Sequence, residues 1–261
     1  MRIAISPPTQ ALHLTPITGL QLCLAEYILT DNIYSDFYIS TPTSEIIILD
    51  TMVHERKGEG QPISFDDLME AHYKVSADVI VVPDDDHDPK ATLARLKEWA
   101  PKFRDVDPEV RIMGVVPRAQ DLDTWVLNLR DTYSLVDVIG LPMETEAMKG
   151  LNIDIGGGRL QLLAICDWIL PRDKQIHLLG IRQDLAEIRI AAGFQRLLGA
   201  DTARPVTLAL QGVLWEDVEG SLRLPGKQPD FFDTPYNVIQ EHKELICQNI
   251  QYLLEAAHST S

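Results

Sequence analysis

Short apolar runs without polar alternation recur along this chain, and most gaps between them carry a helical pattern. The runs are "ALHLT", "EIIILD", "DVIVVP", "VRIMGVV", "VDVIGLP", "IHLLGI", "RLLGAD" and "PVTLAL". Unbroken Ile, Val and Leu are what strands buried on both faces require, and such strands form parallel sheets whose crossovers are helices. Helical patterns fill the gaps. One follows Ser64, with Asp67 three residues on as in a capping box. A second starts with Asp88 as N-cap and Pro89 at the first helical position. A third carries Leu122, Trp125, Val126 and Leu129 at helical spacing. A fourth runs from about Arg159 to Ile169. About eight strands in alternation with helices predict an α/β fold, a TIM-like (β/α)8 barrel rather than an open doubly wound sheet. Only "TAR" separates the last two runs, too little for a parallel crossover, so irregularity is expected at the last strands.

A chain of 261 residues, 45% of them hydrophobic, suits one such barrel, and no linker or repeat divides it. A single domain over 1–261 is therefore expected. It carries a long turn-rich loop at about 211–234 and a C-terminal helix at about 235–256, with Ile239, Leu245, Ile246, Ile250, Leu253 and Leu254 on its apolar side. Cys23, Cys166 and Cys247 lie far apart in apolar segments. They read as buried thiols of a reducing compartment, not as a zinc cluster. No leader-like N-terminus and no run of ~18 apolar residues is seen. A cytoplasmic protein with no membrane partner is expected.

Lys and Arg total 23 against 39 Asp and Glu, a formal charge of −16. Broad, non-specific nucleic-acid binding relies on cationic neutralisation of phosphates, and this balance argues against it. A local basic rim remains compatible with it.

Barrel chemistry gathers at the C-terminal ends of the strands. Read there, "IIILD" ends on Asp50 with Glu55 shortly after, "VIVVP" on Asp84, Asp85 and Asp86, "IMGVVP" on Arg118, "HLLGI" on Arg182 and "LLGAD" on Asp201. Asp50, Asp84 and Asp201 each directly follow or end an apolar run and are expected to face one central cavity. Asp88 reads as a helix cap, and Asp85, Asp86 and His87 as solvated turn. Converging carboxylates can bind a divalent metal, divide into nucleophile and acid/base at an anomeric carbon, or accept hydrogen bonds from a nucleobase edge. No H-x-H or H-E-x-x-H spacing appears. His177 begins a strand and reads as a core residue or as support for a site residue. In "NIDIGGGRLQLL", three glycines precede a helix that Arg159 opens; free backbone N–H groups and a guanidinium there could hold a phosphate.

Several segments in order carry a family resemblance: "AEYILTDNIYSDFY", "IIILDTMVHE", "SFDDLMEAHYKVSADVIVVPDDDHDPKATL", "VDVIGLP", "IHLLGI" and "GADTARPV". From about Leu20 to Phe232 the chain resembles the tRNA-guanine transglycosylase superfamily. It looks closest to the compact phage and bacterial relatives that put 7-deazaguanines into DNA. The resemblance implies Asp201 as the nucleophile and Asp50 as the second catalytic carboxylate. It implies Asp84 as the reader of the purine. Beside these, Glu55, Arg118, Gly140, Arg159 and Arg182 are candidate substrate-binding residues, the arginines for phosphate or base contacts. The implied partners are guanine or a 7-deazaguanine and a nucleic acid met through a local basic rim, with a homodimer or partner subunit open; no metal or cofactor is required. The larger tRNA enzymes carry D-S-G-G-F-Q where this chain has "DTMVHE", and their zinc-binding cysteines are missing here. These departures favour DNA over tRNA. Two rival readings stand beside this one. The first is a metal-dependent barrel hydrolase or lyase using Asp50, Asp84, Asp86 and His87. The second is a non-catalytic nucleobase-binding subunit.

Overall fold

Eight strands, all parallel, form one sheet in the order β1-β8-β7-β6-β5-β4-β3-β2. They are β1 (Ile3–Ile5), β2 (Leu20–Leu24), β3 (Ile46–Asp50), β4 (Val79–Val81), β5 (Arg111–Val115), β6 (Val138–Leu141), β7 (Gln175–Leu178) and β8 (Leu197–Thr202). Among the described residues the α-helices are α1 (Ala25–Thr30), α2 (Asn32–Ile39), α3 (Phe65–Val75), α4 (Pro89–Val106), α5 (Leu122–Tyr133), α6 (Ile155–Ile169), α7 (Leu185–Ala191), α8 (Arg204–Ala209) and α9 (Tyr236–His258). This computed structural model describes residues 1–51, 63–85, 88–143, 155–181, 185–218 and 231–258. The architecture is a TIM-like (β/α)8 barrel with one unsealed seam. β1 pairs with β8 and β2 with β3, while β1 and β2 lie side by side without a ladder between them. No helix among the described residues is long and apolar enough to cross a membrane.

The seam has a local cause. β1 is only three residues long, and Pro7 and Pro8, which have no N–H to donate, follow it closely. The link to β2 is a 3-10 helix, Thr9–Leu14, instead of a full crossover helix. The start of β2 is held by the buried Glu45 carboxylate, which accepts from Gly19 N at 2.9 Å, Thr18 N at 3.3 Å and Gln21 Nε2 at 3.1 Å.

Two of the eight expected strands are corrected. "ALHLT" falls in the 3-10 helix Thr9–Leu14, and "PVTLAL" lies mostly in α8, which Pro205 enters within its first two positions. Pro at the first helical turn gives up a donor that has no partner there anyway, so "RPVTLA" starts a helix as readily as it would break a sheet. The strands that replace them, β1 and β2, are short or interrupted by Gln21, so neither reads as a continuous apolar run. The last two strands are irregular as expected, though not because of a short crossover: the β7–β8 pairing shifts register between Ile176 and His177, and the seam between β1 and β2 is a second irregular place.

Helix starts follow the side-chain chemistry of their caps. Asp88 Oδ1 accepts from Lys90 N and Ala91 N, and Ser64 Oγ accepts from Asp67 N while donating back to Asp67. α6 begins at Ile155, four residues before Arg159, so the glycine run is inside its first turns. α9 buries Ile239, Ile246, Ile250 and Leu253 against the barrel, and packs on α8 and α7. Its Asn249 is fully buried; it accepts from Trp215 N and donates to Pro205 O and Val213 O. Cys23 and Cys166 are buried as expected, but Cys247 is exposed, on the outer side of α9.

Among the described glycines, Gly199 in β8 has the tightest backbone approach. A Cβ there would sit 2.7 Å from Arg2 O and 2.5 Å from Leu20 Cδ2. The leucine can turn aside; the carbonyl belongs to the chain that leads into β1 and cannot. Gly199→Ala is expected to destabilise the fold by roughly 1–3 kcal/mol, the usual range for overpacking, by wedging β1 off β8. Urea unfolding followed by circular dichroism measures it, and a midpoint equal to the parent's would show that the seam yields freely.

Candidate active site

Register partners in a parallel sheet share a face, and residues two apart along a strand return to it. Val115 is level with Gly140, Gly140 with His177 and His177 with Gly199. Asp201 lies two residues beyond Gly199 and is level with Ala4. On the other side, Ile48 is level with Val79 and Val79 with Arg111, while Asp50 lies two residues beyond Ile48. The remaining question is which face is the inside. A Cβ on Gly114, of opposite parity, would meet Leu96, Thr132 and Val136, which belong to the helical layer and its connections. Val115, Gly140, His177, Asp201 and Asp50 are therefore on the face that lines the barrel. Arg111 Nη1 donates to Gln175 Oε1 at 2.8 Å on that same face, passing over β6.

Asp50 and Asp201 thus both point inward at the C-terminal ends of their strands. They flank the seam, one strand away from it on either side, β3-β2 and β1-β8. Three strand spacings separate them, about 14 Å along the wall at ~4.8 Å per strand, with side chains shortening the gap across the mouth.

The Asp201 carboxylate is held at one oxygen. His177 Nε2 lies 3.1 Å from Oδ1, and Gly180 N donates to the same oxygen at 3.1 Å. Its side chain remains partly open, at 15% exposure, whereas His177 has none. Gly180 has φ +67°, a left-handed conformation natural to glycine, and this turns its amide back towards β8. On the other carboxylate, Asp50 Oδ1 accepts from Thr51 N at 2.7 Å. The Cys23 thiol, on the opposite face of the neighbouring strand, is buried and is pushed up well above the ordinary thiol range, first by burial and then by the Asp50 charge. It stays a neutral thiol donating to Ile48 O and offers no nucleophile.

Asp84 follows β4 and is half-buried. It lines a crevice with Asp85, Thr92, Val115, Val116, Pro117, Arg118 and Pro142, with about 10 Å³ of water-accessible space, room for one water. Asp84 and Arg118, named separately from the sequence, are thus brought to one place. The acidic turn is braced from α4: Arg95 Nη1 donates to Pro83 O at 2.8 Å, and Asp85 N donates to Thr92 Oγ1 at 2.8 Å. Asp85 Oδ1 in turn accepts from Asp88 N. Asp85 and Asp88 are therefore structural, as their turn and cap positions imply.

One other expectation is corrected. Arg159 does not offer its charge to a phosphate. Its guanidinium is 2% exposed and forms a bidentate pair with Glu187, Nε to Oε1 at 2.6 Å and Nη2 to Oε2 at 2.8 Å, while Nη1 donates to Leu179 O and Gly180 O. Four of its five N–H groups are used inside the protein. Gly140 faces inward too, and a Cβ built on it would lie 3.0 Å from Leu179 Cδ1 and 3.4 Å from Met113 Sδ, so only glycine leaves those side chains their room. Glu55 and Arg182, and Asp86 and His87 of the metal reading, lie outside the described residues. Among the described residues no three His, Cys, Asp or Glu side chains are grouped as a metal site.

Three features of the site were not legible beforehand as such: the His177 contact, the Gly180 amide and the buried Glu187. His177 alone had a signal, a histidine inside an apolar strand. No protein-family model matches the chain, and no curated protein matches it.

Proposed function

We propose that this chain is a base-exchange transglycosylase that replaces guanine in a nucleic acid, DNA in preference to tRNA, with a 7-deazaguanine. The observation that carries the reading is the Asp201 carboxylate, inward-facing and partly open, with one oxygen fixed by two donors and the other, among the described residues, without a hydrogen-bond partner and available to react. In the first step Asp201 Oδ2 attacks C1′ of the target nucleoside. The C1′–N9 bond breaks, its electron pair leaves with guanine, and Asp50 supplies the proton the departing base takes up. In the second step the incoming 7-deazaguanine attacks C1′ through N9, gives up its N9 proton to Asp50, and the C1′–Oδ2 bond breaks. Two displacements at one carbon retain its configuration. Asp84, which lines the crevice, accepts hydrogen bonds from the ring N–H and amino group of the purine. Only a water-sized group fits inside that crevice, so the base edge meets Asp84 from above. The target nucleotide has to leave the duplex to present C1′, at a cost of a few kcal/mol.

The test is direct. Incubation with labelled guanine and, separately, with DNA or tRNA is expected to give Asp201-dependent label in DNA. Guanine binding without label in either polymer would favour the non-catalytic subunit. No label in either polymer, together with stoichiometric Mn²⁺ or Zn²⁺ in the purified protein that its activity requires, would favour the metal-dependent hydrolase or lyase.

A further inference from the structure

Resting on the base-exchange reading, we infer that His177 is the positioning residue for the nucleophile: with the Gly180 amide it anchors Asp201 Oδ1 and thereby selects Oδ2 as the oxygen that attacks. His177 is completely buried on the lumen face of β7, and its Nε2 lies 3.1 Å from Asp201 Oδ1. Among the described residues its ring has no other hydrogen-bond partner, and Nδ1 is buried without one. A buried imidazole kept only for packing would be a poor choice, because an unmatched ring nitrogen carries a desolvation penalty that an apolar side chain of the same volume avoids. Among the described residues, the one hydrogen bond the ring makes is to the carboxylate.

The tautomer follows from that contact. A carboxylate accepts, so the proton belongs on Nε2; with the proton on Nδ1, two lone pairs would face each other at Asp201. The second donor is fixed independently. Arg159 Nη1 grips Leu179 O at 3.0 Å and Gly180 O at 2.6 Å, which holds the turn whose amide donates to Oδ1. Two donors from different parts of β7 and its turn remove the rotation that would exchange the two carboxylate oxygens. A small misplacement of a reacting atom can lower a rate about 100-fold, so this fixation belongs to the rate of attack and not to the binding of the base.

The experiment compares His177→Phe, His177→Gln and the parent in the labelled-guanine exchange assay. The Gln amide can present a donor near the place of Nε2; Phe fills the space and presents none. Expected for His177→Phe is a 10- to 100-fold fall in kcat, an unchanged KM for the base within about twofold and a similar Tm. His177→Gln is expected to recover most of the lost kcat. Should His177→Phe not fold, His177→Asn, whose shorter amide stops short of Asp201, takes its place with the same expectation. The inference is overturned if the donor-less variant keeps the parent's kcat, or if His177→Gln is as slow as His177→Phe while both are folded. A parent protein that exchanges no base at all overturns the functional reading and this inference together, so the two failures are told apart.

Discussion

Asp201→Asn is expected to abolish guanine release and base incorporation while leaving the fold intact. The expected loss is at least about four orders of magnitude, the scale seen when the attacking group of a covalent mechanism is removed. The substitution is informative because it is nearly isosteric and keeps the local hydrogen bonds. The Asn carbonyl oxygen can take the place of Oδ1 and accept from His177 Nε2 and Gly180 N, both now at 3.1 Å. The amide NH2 then stands where Oδ2 stood and cannot form an ester with C1′. Stability should change by less than about 1 kcal/mol, the worth of an ordinary hydrogen bond. The measurements are single-turnover release of labelled guanine from DNA, trapping of a glycosyl-enzyme by mass spectrometry in the parent, and Tm for both proteins. A folded Asp201→Asn protein that still releases guanine would end the assignment of Asp201 as nucleophile. A parent that releases base but never shows the adduct would point to water, not Asp201, as the attacking group.

What could be read from residues alone was the part governed by local rules. Long Ile/Val/Leu runs such as "EIIILD" and "VDVIGLP" became β3 and β6, and Asp88 with Pro89 became a helix start because both depend on a few neighbouring atoms. The inward orientation of Asp50 and Asp201 also follows from strand parity once the barrel is granted. What failed to show was set by tertiary contact. "LQLCL" pairs with β3 although Gln21 interrupts it, because Glu45 across the ladder satisfies that amide. "PVTLAL" has strand composition but sits after β8 with Asn249 of α9 accepted by Pro205 O, and it coils. Arg159 beside three glycines has the composition of a phosphate site. Nothing local to that stretch signals that Glu187, 28 residues away, meets it.

Removing Glu187 is expected to destabilise the protein by about 3–5 kcal/mol, the usual penalty for stranding one partner of a buried ion pair. Both members are nearly sealed from water, Arg159 at 2% and Glu187 at 6% exposure, so solvent cannot compensate the guanidinium in Glu187→Ala. The double variant Arg159→Met/Glu187→Leu is expected to regain most of that loss, since apolar replacement of a buried pair is commonly neutral or stabilising. Activity should not return with stability. Arg159 Nη1 also holds the carbonyls of Leu179 and Gly180, and the methionine cannot, so the Gly180 amide loses the brace that aims it at Asp201. Urea unfolding of the three variants beside their base-exchange rates separates the two roles. Recovery of both stability and rate in the double variant would mean that the pair only fills space. Recovery of stability with a rate still depressed at least about tenfold would mean that the pair's function is to hold one backbone turn against the carboxylate that reacts.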